Sequence, residues 1–245
     1  MLYKIARSSH IFCLACVIFL MDCTAFAQKM TISKYGAEIL DNMPGYQQTV
    51  AQDSAKKMVE LRSVSPGIIY DLRYAGTNNF MKKRMYPANT RHTFLRAPAA
   101  WALARVQQEL SIQGYSLKIF DAYRPYSVTV AFWEPIKDER YVANPAKGSG
   151  HNRGLAVDLT IVETSTGKEL DMGTGFDNFT DTAHHAFTKN LSPEVQKARA
   201  LLKETMEKYG FTAFDTEWWH YYWPNDRGYE VLDLPFKKLA QVGKN

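Results

Sequence analysis

The chain has 245 residues, 46% of them hydrophobic, and a formal net charge of +5. That length suffices for one domain with a substantial core. The basic residues are dispersed among acids rather than clustered, so the charge reflects solubility and excludes a nucleic-acid footprint.

Residues 1–27 read as a secretory signal peptide. Lys4 and Arg7 precede an apolar run from Ile11 to Met21, and Ala25-Phe26-Ala27 places small residues where a signal peptidase cuts, so cleavage is expected after Ala27. The run is about half of the roughly 20 residues that span a bilayer, which argues against a membrane anchor. Asp22 is a poor neighbour for lipid attachment at Cys23. The mature protein is therefore expected to be exported, to the periplasm, with no stable membrane insertion. Cys13, Cys16 and Cys23 are all the cysteines, and all leave with the signal. Any transition-metal site must then use imidazole and carboxylate, the pattern of a catalytic rather than a closed structural zinc site.

No linker composition or solenoid repeat follows Gln28, so residues 28–245 are expected to form a single domain. Residues 28–55 read as an irregular arm. Met58 to Val64 and Ile68 to Tyr74 read as two strands joined across Ser65-Pro66-Gly67. Ala99, Leu103, Val106 and Leu110 recur at helical spacing after Pro98, and Gly114 stops that helix. A buried strand at 117–120 runs into Asp121-Ala122-Tyr123-Arg124-Pro125, a second helix lies between Pro125 and Pro135, and residues 141–150 form a loop. Leu155 to Val162 is a strand, with 168–172 as a hairpin partner after Gly167. Ser192 and Pro193 open a helix that buries Val195, Ala198, Leu202, Met206 and Tyr209 and ends at Gly210. Residues 217–223 form an aromatic strand. This irregular alternation predicts an α+β fold, a mainly antiparallel sheet flanked by helices.

Four segments hold polar groups in apolar settings: 121–125, 149–158, 171–177 and 217–220. Burying an unpaired carboxylate or imidazole costs several kcal/mol, roughly, so each needs a partner, and one divalent metal can serve three together. His151, Asp158 and His220 are the candidate ligands. Gly148, Gly150 and Gly154 argue for a tight loop that folds His151 back over the strand carrying Asp158. Glu217 and His220 sit three apart and point to opposite faces of a regular strand, so their convergence requires a bulge or a preceding loop. Two imidazoles and one carboxylate leave a position open for water, and Glu217, not itself a ligand, suits proton transfer. Arg124 offers fixed positive charge for an oxyanion. Each group alone also has an ordinary reading: a solvated loop His151, an Asp158 with backbone donors, a core His220 beside a surface Glu217, and an Arg124 paired with Asp121. His184-His185 and His92 read as surface residues, since adjacent histidines diverge on helix or strand.

The Ser-x-His-x-x-Gly-x-Ala-x-Asp pattern of 149–158 and the Glu-x-Trp-His ending at His220 resemble the zinc D-Ala-specific peptidases, which share their fold with hedgehog signalling domains. Residues 70–75 with Asn78-Asn79-Phe80, then 121–125 and 171–177, narrow the resemblance to VanX-like D-alanyl-D-alanine dipeptidases. The resemblance implies His151, Asp158 and His220 as ligands of one zinc per subunit, Glu217 as catalytic base and acid, and Arg124 as transition-state stabiliser. It also implies a small dipeptide substrate, D-Ala-D-Ala. Ser149 and Asp177 are added as substrate-binding candidates, Asp177 for the ammonium group. A signal peptide departs from a cytoplasmic role and suggests recycling of wall-derived dipeptide. The alternatives are a D,D-carboxypeptidase or L,D-endopeptidase on peptidoglycan, or a wall-peptide binding module.

Overall fold

The computed structural model describes residues 30–242. The expected signal peptide, its cleavage point and the three cysteines lie outside the described residues.

The first segment is more ordered than its sequence suggests. Strands β1 (Thr31–Ile32) and β2 (Glu38–Leu40) pair antiparallel, and helix α1 (Met43–Gln52) follows where an irregular arm was expected. The Asn42 side chain caps α1 by accepting from Gly45 N, and Pro44 sits in the first turn. Only Gly45, Tyr46 and Thr49 of α1 are buried, too few to print a helical period on the sequence.

Two further expectations are corrected downstream. Strand β3 (Met58–Glu60) ends early because the Glu60 carboxylate accepts from Ser63 N and starts the short helix α2 (Leu61–Val64). Of the second expected strand only β4 (Ile69–Tyr70) is extended, and residues 73–75 wind into a 3-10 turn. The two do not form a hairpin. Strand β3 pairs antiparallel with β5 (Phe94–Arg96), whereas β4 lies parallel to β6 (Tyr115–Asp121).

Helix α3 (Ala97–Ile112) buries Ala99, Leu103, Val106 and Leu110 as its spacing predicts, and α4 (Tyr126–Ile136) begins after Pro125. One helical turn, α5 (Gly150–Arg153), precedes β7 (Ala156–Glu163). The expected return strand at 168–172 is reduced to a bridge between Val162 and Glu169. Helix α6 (Pro193–Lys208) has Ser192 as its cap, followed by β8 (Thr212–Phe214), β9 (Glu217–Tyr222), β10 (Val231–Leu232) and α7 (Phe236–Val242).

The principal sheet has the order β4-β6-β7-β9-β8 and is antiparallel except at β4/β6. Its apolar side chains, with those of α3 and α6, form the main core around Leu103, Leu117, Leu159, Ile161, Leu202 and Trp219. A second cluster joins Leu40, Tyr46, Tyr86, Phe94, Tyr123 and Phe236 from the N-terminal, middle and C-terminal segments. The result is the expected α+β single domain. Strand β10 lies parallel to β2, so the last strand closes against the first segment. The fully buried Arg96 guanidinium donates to the carbonyls of Lys56, Arg153 and Glu230 and locks these segments together.

Gly154 ends α5 at φ +68, and a Cβ there would lie 2.6 Å from Met58 Sδ. Gly154→Ala is expected to cost about 1–3 kcal/mol through left-handed strain and displacement of Met58. Urea denaturation with an unchanged m-value checks it; wild-type stability would mean that the turn relaxes freely.

Candidate active site

The single turn of α5 corrects the loop expected around His151. Ser149 Oγ accepts from Asn152 N at 3.1 Å, and Asn152 Oδ1 accepts from Ser149 N at 3.0 Å, a reciprocal cap that closes the turn despite its glycines. Asn152 Nδ2 also donates to Arg124 O at 2.9 Å. The fold-back itself occurs as expected: Leu155 N donates to Gly150 O at 2.8 Å, and a Cβ on Gly150 would lie 2.9 Å from Ala156 Cβ. Close approach to β7 therefore requires glycine at 150.

Asp158 and His220 are register partners on β7 and β9. His220 Nδ1 lies 2.8 Å from Asp158 Oδ1, and His151 Nε2 lies 3.3 Å from His220 Nδ1 and 3.4 Å from Asp158 Oδ2. The Ala122 carbonyl, 2.7 Å from His151 Nδ1, can only accept, so Nδ1 carries the proton and Nε2 keeps the lone pair that could hold a metal. Two imidazole nitrogens and a carboxylate thus face one another within 4.8 Å, with His151 and Asp158 buried. A divalent cation satisfies all three lone pairs at once, and this set fits a catalytic zinc with a position left open. Burial acts to raise the Asp158 carboxyl, but the charge and hydrogen bonds of His151 and His220 outweigh it and hold it well below the usual carboxylate range.

These groups face a cavity of about 240 Å³ that Ser149, Arg124, Asp177 and Glu217 also line. Glu217 and His220 converge because the β8/β9 register shifts: Ala213 pairs with Tyr221, but Phe214 pairs with Glu217. The extra residues form a bulge, one of the two routes that their spacing left open. Burial pushes the Glu217 carboxyl up to about 7. Asp177 sits at φ +61 and accepts from Tyr74 Oη and Phe80 N, both at 3.1 Å. Burial pushes it up to about 7 as well. Arg124 makes the pairing given as its ordinary reading, Nε and Nη2 donating to Asp121 Oδ2 at 2.9 and 2.8 Å, and it also lines the cavity.

The family profile described as D-ala-D-ala dipeptidase, peptidase M15, matches residues 54–240. The chain belongs to this family. Among relatives of this dipeptidase-family chain, the D-alanyl-D-alanine dipeptidase of Escherichia coli is 34% identical over 76% of this chain and 95% of its own length. That of Enterococcus faecalis is 30% identical over 69% and 89%. The solved structure of the LdcB LD-carboxypeptidase overlaps at TM-score 0.35 and 23% identity, covering 60% of this chain and 69% of its own, too loosely to add to the assignment.

The dipeptidase-family site also contains groups that the sequence reading left aside. Tyr74, Phe80, Phe132 and Phe179 wall the cavity, and Arg124 lies 5.2 and 4.8 Å from the ring centres of Tyr74 and Phe132. Asp121 is fully buried, and Tyr86 Oη donates to its Oδ1 at 2.6 Å. The sequence reading already pairs Asp121 with Arg124; no local pattern marks Tyr86. His92 is exposed as expected, but His185 is not a plain surface residue. It is partly buried, its Nε2 has no hydrogen-bond partner, and burial pushes its pKa down to about 4. Among the described residues no helix is long and apolar enough to cross a membrane.

Proposed function

We propose that the protein is an exported, zinc-dependent dipeptidase that hydrolyses free D-Ala-D-Ala during turnover of cell-wall peptides. The observation that carries this reading is one small cavity in which His151, Asp158 and His220 converge with Glu217, Arg124 and Asp177. The space suits a dipeptide better than a polymer strand, and both relatives named above are D-alanyl-D-alanine dipeptidases. Export rests on the sequence of residues 1–27.

When bound by His151, Asp158 and His220, zinc supplies Lewis acidity to the attacking water and the scissile carbonyl. Glu217 takes the proton of the attacking water and returns it to the leaving amine, and a carboxyl held near neutrality suits both steps. The Arg124 guanidinium faces the charge that develops on the carbonyl oxygen. Asp177 receives the substrate ammonium deep in the cavity, where each hydrogen bond gains from the lowered dielectric. Ser149 holds the α5 turn closed and so fixes His151.

Asp177→Asn is expected to raise KM for D-Ala-D-Ala about 10–100-fold with a smaller change in kcat, since a buried charge-assisted contact contributes about 1.5–3 kcal/mol. Steady-state kinetics check this, and unchanged KM would remove Asp177 from substrate binding. The reading as a whole is tested by amine release from D-Ala-D-Ala, L-Ala-L-Ala and a stem pentapeptide, with and without chelator. Chelator-sensitive cleavage of D-Ala-D-Ala alone is the expected result. Pentapeptide cleavage would make the protein a carboxypeptidase, and no cleavage by zinc-loaded protein would make it a binding module.

A further inference from the structure

Arg124 has two buried carboxylates within reach. Its Nε and Nη2 donate to Asp121 Oδ2 at 2.9 and 2.8 Å, while Nη2 stands 3.9 Å from Asp158 Oδ2. A guanidinium shifted by about an ångström would pair with Asp158, a metal-binding residue, and turn from the substrate carbonyl; misplacement of that size can cost about 10²-fold in rate. Asp121 therefore has to outcompete Asp158 by geometry.

What fixes Asp121 is the phenol of Tyr86. Its hydroxyl donates to Oδ1 at 2.6 Å, which sets the plane of the carboxylate and leaves Oδ2 for Arg124. Tyr86 is itself held firmly. Its N–H donates to Tyr74 O at 2.9 Å, and its ring packs against Phe236 with centroids 4.9 Å apart. Behind it, Asn79 Nδ2 donates to the carbonyls of Arg73, Gly76 and Lys83 and braces the loop. Tyr86 and Phe236 line a separate groove and are not among the residues that line the catalytic cavity.

We propose that Tyr86, through Asp121, is the positioning residue that aims Arg124 at the reacting carbonyl. The inference rests on the dipeptidase reading above. Tyr86→Phe keeps the ring packing and removes only the donor. It is expected to lower kcat on D-Ala-D-Ala about tenfold, one factor of 1.36 kcal/mol in the barrier, with KM within about twofold and metal content unchanged. In an Arg124→Ala background the same change is expected to have no further effect on kcat, because the groups act as one unit.

A purely structural tyrosine would give equal fold losses in both backgrounds, and that result, or an unchanged kcat in Tyr86→Phe, would overturn the proposal. If Tyr86→Phe does not fold, Asp121→Asn carries the test. It keeps an oxygen for Tyr86 but turns an amide toward the guanidinium, and is expected to show the same loss of kcat, again absent beside Arg124→Ala. Wild-type protein that ignores D-Ala-D-Ala would sink the dipeptidase reading instead, and the cycle would then be run on the peptide that it does cleave.

Discussion

Glu217→Ala is expected to lower kcat on D-Ala-D-Ala by about 10²–10⁴-fold, the usual contribution of a positioned general base and acid. Zinc content and KM are expected to stay near wild type. Glu217 is not among the three groups that could hold the metal, and its wall position leaves the Asp177 end of the cavity intact. Burial opposes its charge, pushing the carboxyl up to about 7, so its removal takes a desolvated group from the site and does not threaten the fold. Melting temperature should therefore hold or rise. If kcat survives in a metal-replete variant, proton transfer belongs to another residue, and Asp177, pushed up to a similar value, becomes the next candidate.

His220→Ala is expected to abolish activity differently, by loss of the ion. One of three converging groups disappears, and the remaining His151 and Asp158 lie on a single turn and its following strand. Activity is expected to fall below about one-thousandth of wild type, because Lewis-acid stabilisation of several kcal/mol goes with the metal. Chelated wild-type protein should match the variant and recover on added zinc, whereas the variant should not recover at the same concentration. A His220→Ala protein that retained both zinc and turnover would remove His220 from the centre.

The two variants would separate proton transfer from metal binding, and the convergence of both positions on one cavity was legible in the sequence. Polar groups set among Leu, Val and Trp need partners, and three such groups with a fourth carboxylate nearby already describe a site. The bulge in β9 was also foreseeable, since no regular strand turns Glu217 and His220 the same way. What stayed hidden is informative for physical reasons. The cap on α5 uses Asn152 where the usual sequence signature has Glu or Gln, so three glycines outweighed it. Helix α1 lacks an apolar stripe because tertiary contacts of Tyr46 and its cap support it instead. The partners of β3 and β4 lie tens of residues away, beyond any local pattern. Tyr86 reads as one more aromatic residue until Asp121 is seen beneath it.

The parallel pairing of β2 with β10 has a kinetic consequence. Ile39 meets Val231 across roughly 190 residues, so this small sheet is among the most non-local contacts of the described residues, and closing it carries a large loop entropy. Residues 38–40 must wait, unpaired on that side, until nearly all of the chain has been made. A polypeptide that completes itself only with its last segments stays open while it emerges. Truncation before Val231 is therefore expected to leave β2 without its parallel partner and to make the chain more readily cut by protease than the full-length protein.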